Sequence, residues 1–458
     1  MQTYDAIIIG SGQGGNPLAQ KLADLGWNVA LVEREHLGGS CVNYGCTPTK
    51  TMIASARAAY VAQNGSRLGI RVGDVQVNLP EIVARKNKIV SQSRKGQEEQ
   101  AASRPTLNLH RGHARLSSSH TVEVDGRALQ SDHIFIDTGT RPRIPTISGI
   151  HRVPFLTNRT IMDLEKAPDH LIVLGGSYIG LEFGQMFRRF GSRVTVIDHN
   201  DRIISREDPD VSEALQEALE AEEMRFLLNR TVQAASLVED GIELTLSDHE
   251  VLTGTHLLVA TGRDPNTDDL GLEVAGVETD SRGFIKVNER LETNVPGIWA
   301  IGDVKGGPAF THISYDDHFI IFNNLINGTD RSTGGRVVPY ALFTDPELGR
   351  VGMTEAQARA EGYRLKISSI PMSQVARAIE RDETAGLMKV VIDADTDRIL
   401  GAAVLGVEGG ELVQILMTLM LADAPWTVLK RAVYIHPTLA EGFFALLEQV
   451  RLVEDDES

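Results

Sequence analysis

Residues 38 to 50 read Gly-Gly-Ser-Cys-Val-Asn-Tyr-Gly-Cys-Thr-Pro-Thr-Lys and contain the only two cysteines of the 458-residue chain, Cys41 and Cys46. Two cysteines five apart can sit at the start of one helix and close a small ring. Pro48 suits the first turn of that helix, where a missing N–H costs nothing. The Ala-rich run from Met52 to Ala62 continues it. Cys46 then lies near the helix N-terminus, where the dipole favours a thiolate. Lys50 follows one turn later on the same face. Spacing alone leaves two readings open, a redox pair or two inert buried thiols. A metal centre would need more ligands than this stretch offers.

A second chemical pair lies near the C-terminus, in His436-Pro437-Thr438-Leu-Ala-Glu441-Gly442. A carboxylate five residues from an imidazole can orient and charge-tune the ring. Taken alone, a single histidine is more often structural.

Two repeated patterns must position this chemistry. The apolar run Tyr4–Ile9 ends in Gly10-Ser-Gly12-Gln-Gly14-Gly15, a helical pattern follows to Leu25, and the run Asn28–Val32 closes on Glu33. Strand, glycine turn, helix, strand and acid form a dinucleotide fingerprint. The glycines admit a pyrophosphate to the helix N-terminus, and Glu33 binds a ribose. The pattern recurs as Leu171–Leu174, Gly175-Gly176-Ser177-Tyr178-Ile179-Gly180, a helix to Phe190 and the strand Arg193–Ile197 ending in Asp198. Ser177 replaces the middle glycine. Two such units predict two dinucleotides. Asp198 accepts hydrogen bonds from a free 2′-hydroxyl and repels a 2′-phosphate, which favours NADH over NADPH, with Arg202 and Arg206 near enough in sequence to offset that repulsion.

Between these units, 64–80 reads as a loop, and Glu81–Arg104 as a polar helix whose Arg85, Lys86, Lys88, Arg94 and Lys95 form a solvated face. Short strand-like pieces run from Thr106 to Asp137, and a Pro-rich linker covers 142–154. More strand-like pieces extend to Val259.

Gly-Gly-x-Cys-x-Asn-x-Gly-Cys-x-Pro-x-Lys resembles the active-site segment of the class I pyridine nucleotide–disulfide oxidoreductases, the family of dihydrolipoamide dehydrogenase, glutathione reductase and mercuric reductase. Further matches run along nearly the whole chain. Thr138-Gly139 resembles the first chain-crossing motif, with Asp137 where alanine is usual. Ala260-Thr-Gly262-Arg263 resembles the return crossing, and Trp299-Ala-Ile-Gly302-Asp303 the second flavin motif. Phe343-Thr-Asp-Pro346-Glu347 opens a segment like the family's dimerisation domain. The resemblance implies an α/β fold with two Rossmann-like domains plus a C-terminal α+β dimerisation domain. FAD would occupy 1–150 and 263–336, NAD(P) 151–262, and the interface domain 337–458.

It also implies roles. Gly10, Gly12, Gly14, Gly15, Glu33, Gly39, Ser40, Lys50, Thr138, Gly139, Gly302 and Asp303 would hold FAD. Gly175, Ser177, Tyr178, Gly180, Asp198 and Gly262 would hold the nicotinamide nucleotide, with Tyr178 as its gate. Cys41 and Cys46 would form a redox-active disulfide, Cys46 next to the flavin and Cys41 attacking the acceptor. Lys50 would pair with Glu182 beside the flavin. His436 and Glu441 would reach across a homodimer to the partner's cysteines.

The acceptor is left open by the family. The chain ends in Val-Glu-Asp-Asp-Glu-Ser, without the C-terminal cysteines expected of dedicated mercuric reductases or high-molecular-weight thioredoxin reductases. Gly-Cys46-Thr-Pro-Thr49-Lys50, Phe310-Thr-His-Ile-Ser-Tyr-Asp-Asp317, Asp330-Arg-Ser-Thr333 and Val338-Pro-Tyr340 resemble a mercuric-reductase-like bacterial subgroup linked to reactive-chlorine resistance. That resemblance implies reduction of a metal ion such as Cu(II) or Hg(II) in stress defence. The alternatives are reduction of a small organic disulfide, such as lipoamide or a low-molecular-weight thiol disulfide, and service as a flavoprotein subunit or redox sensor of a larger complex.

Composition sets the remaining bounds. A formal net charge of −17 argues against nucleic acid or an anionic membrane as partner. The first residues lack a basic n-region, and the apolar run Leu412–Ala422 is too short to span a bilayer. With a reducible cysteine pair and no other thiol, these features suit a cytoplasmic redox enzyme.

Overall fold

The computed structural model describes residues 2–453; the acidic end, 454–458, lies outside them. The run Ala6–Ile9 is wholly buried and forms the centre of a five-stranded parallel sheet. Its strand order is Ile298–Ala300, Ile134–Ile136, Ala6–Ile9, Val29–Glu33, Leu107–Arg111. Continuous apolar runs such as Ala-Ile-Ile-Ile suit strands covered on both faces. The helix Gly15–Asp24 covers one face with Leu18, Ala19 and Leu22.

The second fingerprint builds a matching parallel sheet, ordered Phe155–Leu156, His256–Val259, His170–Leu174, Arg193–Ile197, Arg225–Leu227. The chain leaves the first sheet through Thr140–Pro142 and returns through Arg263–Pro265, and these two strands pair antiparallel. The linker is therefore stitched down. Beyond it, Ile144 and Ile147 pack against the second unit's core.

The third unit is a six-stranded antiparallel sheet ordered Pro339–Leu342, Glu347–Gly352, Ile399–Gly406, Leu387–Asp393, Leu365–Pro371, Arg451–Leu452. The apolar run near 412–422 is the helix Gly409–Leu421, whose Leu412, Val413, Leu416 and Leu419 enter this unit's core. No helix among the described residues is long and apolar enough to cross a membrane.

Two expectations need correction. The cysteines do not share one helix: Cys41 lies in the short helix Gly39–Asn43, and Cys46 starts a new one, Cys46–Gln63. The break falls at Tyr44 and Gly45, and the close path there suits glycine, since a Cβ on Gly45 would lie 2.9 Å from the Ser40 carbonyl oxygen. Nor is the basic face of Leu79–Ala102 uniformly solvated. Lys86 is buried, its ammonium donating to Met162 O at 3.0 Å and Asp163 Oδ1 at 2.7 Å. Arg94 reaches the Asn43 side chain. Long aliphatic stems let basic residues lie under neighbouring structure, which charge alone does not reveal.

Candidate active site

A single cleft of about 1750 Å³ runs between the three units. That exceeds the volume of a usual small-molecule pocket and suits two dinucleotides end to end. Its ends are marked by the two acids, Glu33 and Asp198, and Cys41, Cys46, Lys50, Tyr178 and Glu182 lie along it.

At the first end, Glu33 Oε2 accepts hydrogen bonds from the Ser11 amide at 3.1 Å and hydroxyl at 2.6 Å. The backbones of two glycine segments meet here: a Cβ on Gly39 would lie 2.7 Å from Gly12 Cα. Ser40, Thr138, Gly139 and Asp303 complete this part of the wall. Asp303 accepts from Thr140 at 3.1 Å, and Thr138 and Asn266 exchange hydrogen bonds at 2.9 and 2.8 Å. These glycine-lined backbones, the acid at the strand end and the ordered Asp303 fit FAD.

At the second end, Asp198 is buried and engaged. It accepts from the Gly176 amide at 2.6 Å and from the Asn200 amide and side chain, both at 2.8 Å. Ser177 has φ −107° and ψ −175°, extended backbone that any residue adopts, so the lost glycine leaves the turn unstrained. The cradle fits a nicotinamide dinucleotide.

Gly14, Gly15, Gly180 and Gly302 do not line the cleft. They permit close packing behind it. A Cβ would lie 2.4 Å from Gly10 O at Gly15, 2.0 Å from Gly175 O at Gly180, and 2.8 Å from the Asp137 carboxylate at Gly302. Asp137, where alanine was usual, is buried at the cleft wall and accepts from the Gly15 amide at 2.7 Å. Burial, with Asp303, Asp317 and Glu33 nearby, pushes its carboxyl well above the usual range.

The sulfurs line the same cleft as free thiols. The hydrogen bond from Cys41 pulls Cys46 down to about 6 against the opposing effect of burial, helped by Thr311 and the charge of Lys50. The same hydrogen bond and burial push Cys41 up. Thr311 Oγ1 lies 3.1 Å from Cys46 Sγ. Lys50 Nζ donates to both Glu182 oxygens, at 2.9 and 2.7 Å. Glu182 is buried on the helix Tyr178–Arg189 and also accepts the Phe343 amide at 3.0 Å.

His436 and Glu441 do pair, Nδ1 to Oε2 at 2.9 Å. They do so outside the cleft of their own chain. The neighbouring Val433 and Ile435 are 98% and 78% exposed, a loop whose apolar side chains face outward.

Among site residues not singled out from sequence, Thr311 and Tyr340 fell within recognised runs but bore no assigned role. Glu207 had no sequence signal. It lies buried behind the cleft wall, where the hydroxyl of Tyr178 donates to it at 3.1 Å.

This geometry agrees with the comparisons. The pyridine nucleotide-disulphide oxidoreductase profile matches residues 4–317, and the corresponding dimerisation-domain profile matches 338–446. The chain belongs to the pyridine nucleotide–disulfide oxidoreductase family. It is 36% identical over 98% of its length, and over 100% of the other protein, to the probable pyridine nucleotide-disulfide oxidoreductase RclA of Escherichia coli. It is 35% identical to the mercuric reductase of Lysinibacillus sphaericus, over 90% of this chain and 76% of that protein. Among solved structures, the Cu(II) complex of the HOCl-induced flavoprotein disulfide reductase RclA from Escherichia coli superposes with a TM-score of 0.91 at 35% identity, covering 98% of this chain and 100% of that one. The protein is thus an oxidoreductase of this family, and membership implies FAD and a pyridine nucleotide as its cofactors.

Proposed function

We propose that this enzyme draws electrons from NADH and delivers them through Cys41 and Cys46 to a metal ion, Cu(II) or Hg(II) in type, as part of defence against oxidants. The observation that carries this reading is a pair of thiols lining one open cleft, with Cys46 Sγ 3.1 Å from Thr311 Oγ1 and one helical turn from Lys50, which together hold that sulfur toward its thiolate. Thiolates suit soft metal ions. The names of the relatives, an HOCl-induced reductase seen with Cu(II) and a mercuric reductase, point the same way.

Bound FAD supplies the two-electron relay between nucleotide and sulfur. The chain's residues do the rest. Glu182 fixes Lys50, which places a cation near Cys46 and stabilises its thiolate. Thr311 donates to that sulfur. Cys41 meets the acceptor. When the Cys41–Cys46 bond forms, the pair gives up two electrons and, with Cys46 already a thiolate, the one proton of Cys41, enough to take two Cu(II) to Cu(I) or one Hg(II) to the metal. His436 of a second copy, oriented by Glu441, serves as acid/base for Cys41, which makes the working unit a homodimer.

NADH is the proposed donor because the buried Asp198 closes the strand of the second fingerprint, and two nearby cations are already paired, Arg202 with Asp201 and Arg230 with Asp248 and Glu250, which leaves Arg206 as the opposing charge at the cleft. A cytoplasmic location fits the reducible pair. The test is anaerobic NADH oxidation against Cu(II), Hg(II), lipoamide and oxidised glutathione in parallel. Fast turnover with metals alone supports the reading. Fast turnover with one disulfide replaces it by the second reading, a small-disulfide reductase, which the intact His436–Glu441 pair favours.

A further inference from the structure

Two units of the fold converge on one buried carboxylate, and the first unit packs on one of its partners. Glu207, 3% exposed, follows the strand Arg193–Ile197 in the second unit. Its Oε1 accepts two hydroxyls: that of Tyr178 at 3.1 Å and that of Tyr340, on the first strand of the third unit. Its Oε2 has no hydrogen-bond donor among the described residues and faces Arg350 Nε at 3.7 Å. Arg350 is itself 1% exposed. Tyr340 lies 5.6 Å from the Tyr178 ring and stacks on Phe310 at 5.0 Å and 10°, and Phe310 directly precedes Thr311.

The arrangement has an asymmetry. Tyr178 lines the cleft and, on the reading above, must leave its place to admit nicotinamide. A buried carboxylate stripped of its hydroxyl donors is costly. Two donors on one oxygen mean that either can leave while the other still satisfies the acid. Tyr340 is held by its strand and by Phe310, so Tyr178 is the one free to go.

We propose that Tyr340 and Glu207 are positioning residues for nucleotide entry: Tyr340 keeps Glu207 hydrogen-bonded while Tyr178 swings away, which lowers the cost of opening. The inference rests on Tyr178 acting as the gate. It assigns Tyr340 no contact with substrate; its effect passes through Glu207.

The experiment is a double-mutant cycle on the FAD-loaded enzyme, with Tyr340→Phe, Tyr178→Phe and the pair. Binding of NAD⁺ is measured by titration, with ADP-ribose as the control ligand that lacks nicotinamide. Tyr340→Phe should weaken NAD⁺ about tenfold and leave ADP-ribose unchanged. In the Tyr178→Phe background, where no hydroxyl bond is broken on opening, the same change should have little effect. Glu207→Gln, which keeps an oxygen acceptor without the charge, should shrink the Tyr340→Phe penalty and guards against misfolding of one variant. Equal loss in both backgrounds, or equal loss for ADP-ribose, would make Tyr340 merely structural and overturn the proposal. If replacing Tyr178 by alanine leaves NAD⁺ affinity unchanged, the gate reading itself falls; if Tyr178→Ala matters and the cycle shows no coupling, only the present proposal falls.

Discussion

Cys46 and Lys50 stand one turn apart on the same helix, so that the charge of Lys50 adds to the hydrogen bonds from Cys41 and Thr311 that lower the Cys46 thiol. The pair is electrically unlike before any cofactor is considered. In the reduced enzyme, alkylation by iodoacetamide should follow a single thiolate with a midpoint near pH 6, falling as pH drops through it. Lys50→Met should move that midpoint upward. A midpoint near the ordinary thiol value would contradict the assignment.

The two cysteines should separate cleanly in mutants. Cys46→Ser should abolish the long-wavelength absorbance of the two-electron-reduced enzyme, while Cys41→Ser keeps it and loses acceptor turnover at least 100-fold. Absorbance spectroscopy under anaerobic NADH checks both. Persistence of the band without Cys46 would reverse the roles.

The Lys50–Glu182 pair carries a stability cost if broken. Glu182 is buried, Lys50 is one-third exposed, and Glu182→Leu would strand the ammonium and free the Phe343 amide together. About 2–3 kcal/mol of destabilisation is expected, read as a lowered Tm of the purified protein. Glu182→Gln should recover part of it.

Nucleotide choice should follow Asp198. The wild-type enzyme is expected to show kcat/KM for NADH at least about tenfold above NADPH, and Asp198→Ser to narrow or reverse that ratio. A strong native preference for NADPH would mean that Arg206, exposed at the cleft edge, outweighs the acid.

His436 should work only in assembled protein. Mixing His436→Ala chains with Cys41→Ser chains should restore roughly a quarter of wild-type turnover from hybrid dimers, each with one complete site. No recovery, alongside full activity of diluted monomer, would remove His436 from the site.

Much of this site was legible because its parts are local. In both fingerprints the first glycine and the acid stand 23 positions apart, Gly10 to Glu33 and Gly175 to Asp198, so a strand, a turn and an acid can be read together. Cys46 and Lys50 share a helical face, as do His436 and Glu441 a short loop. What escaped the sequence is set by tertiary contact. Lys86 looks like any surface lysine until Met162 and Asp163 are folded over it. Thr311 meets Cys46 across 265 positions. Glu207 gains meaning only when Tyr340 arrives from another unit. The break between the two cysteine helices falls at Tyr44 and Gly45, where the chain passes too close to the Ser40 carbonyl for a side chain, a contact that propensity does not register.

The seat of Glu182 has a consequence for exchange of parts among related chains. Its carboxylate is clasped by the Phe343 amide, Gln185 is cross-linked to the backbone of Asp345 at 2.7 and 2.8 Å, and Lys50 lies 4.6 Å from the Phe343 ring. The C-terminal unit is therefore not a detachable adaptor. A chimera that grafts another protein's C-terminal third here must bring a matching Phe-Thr-Asp-Pro corner, or it will loosen a charge beside the sulfurs while every residue around Cys41 and Cys46 stays unaltered.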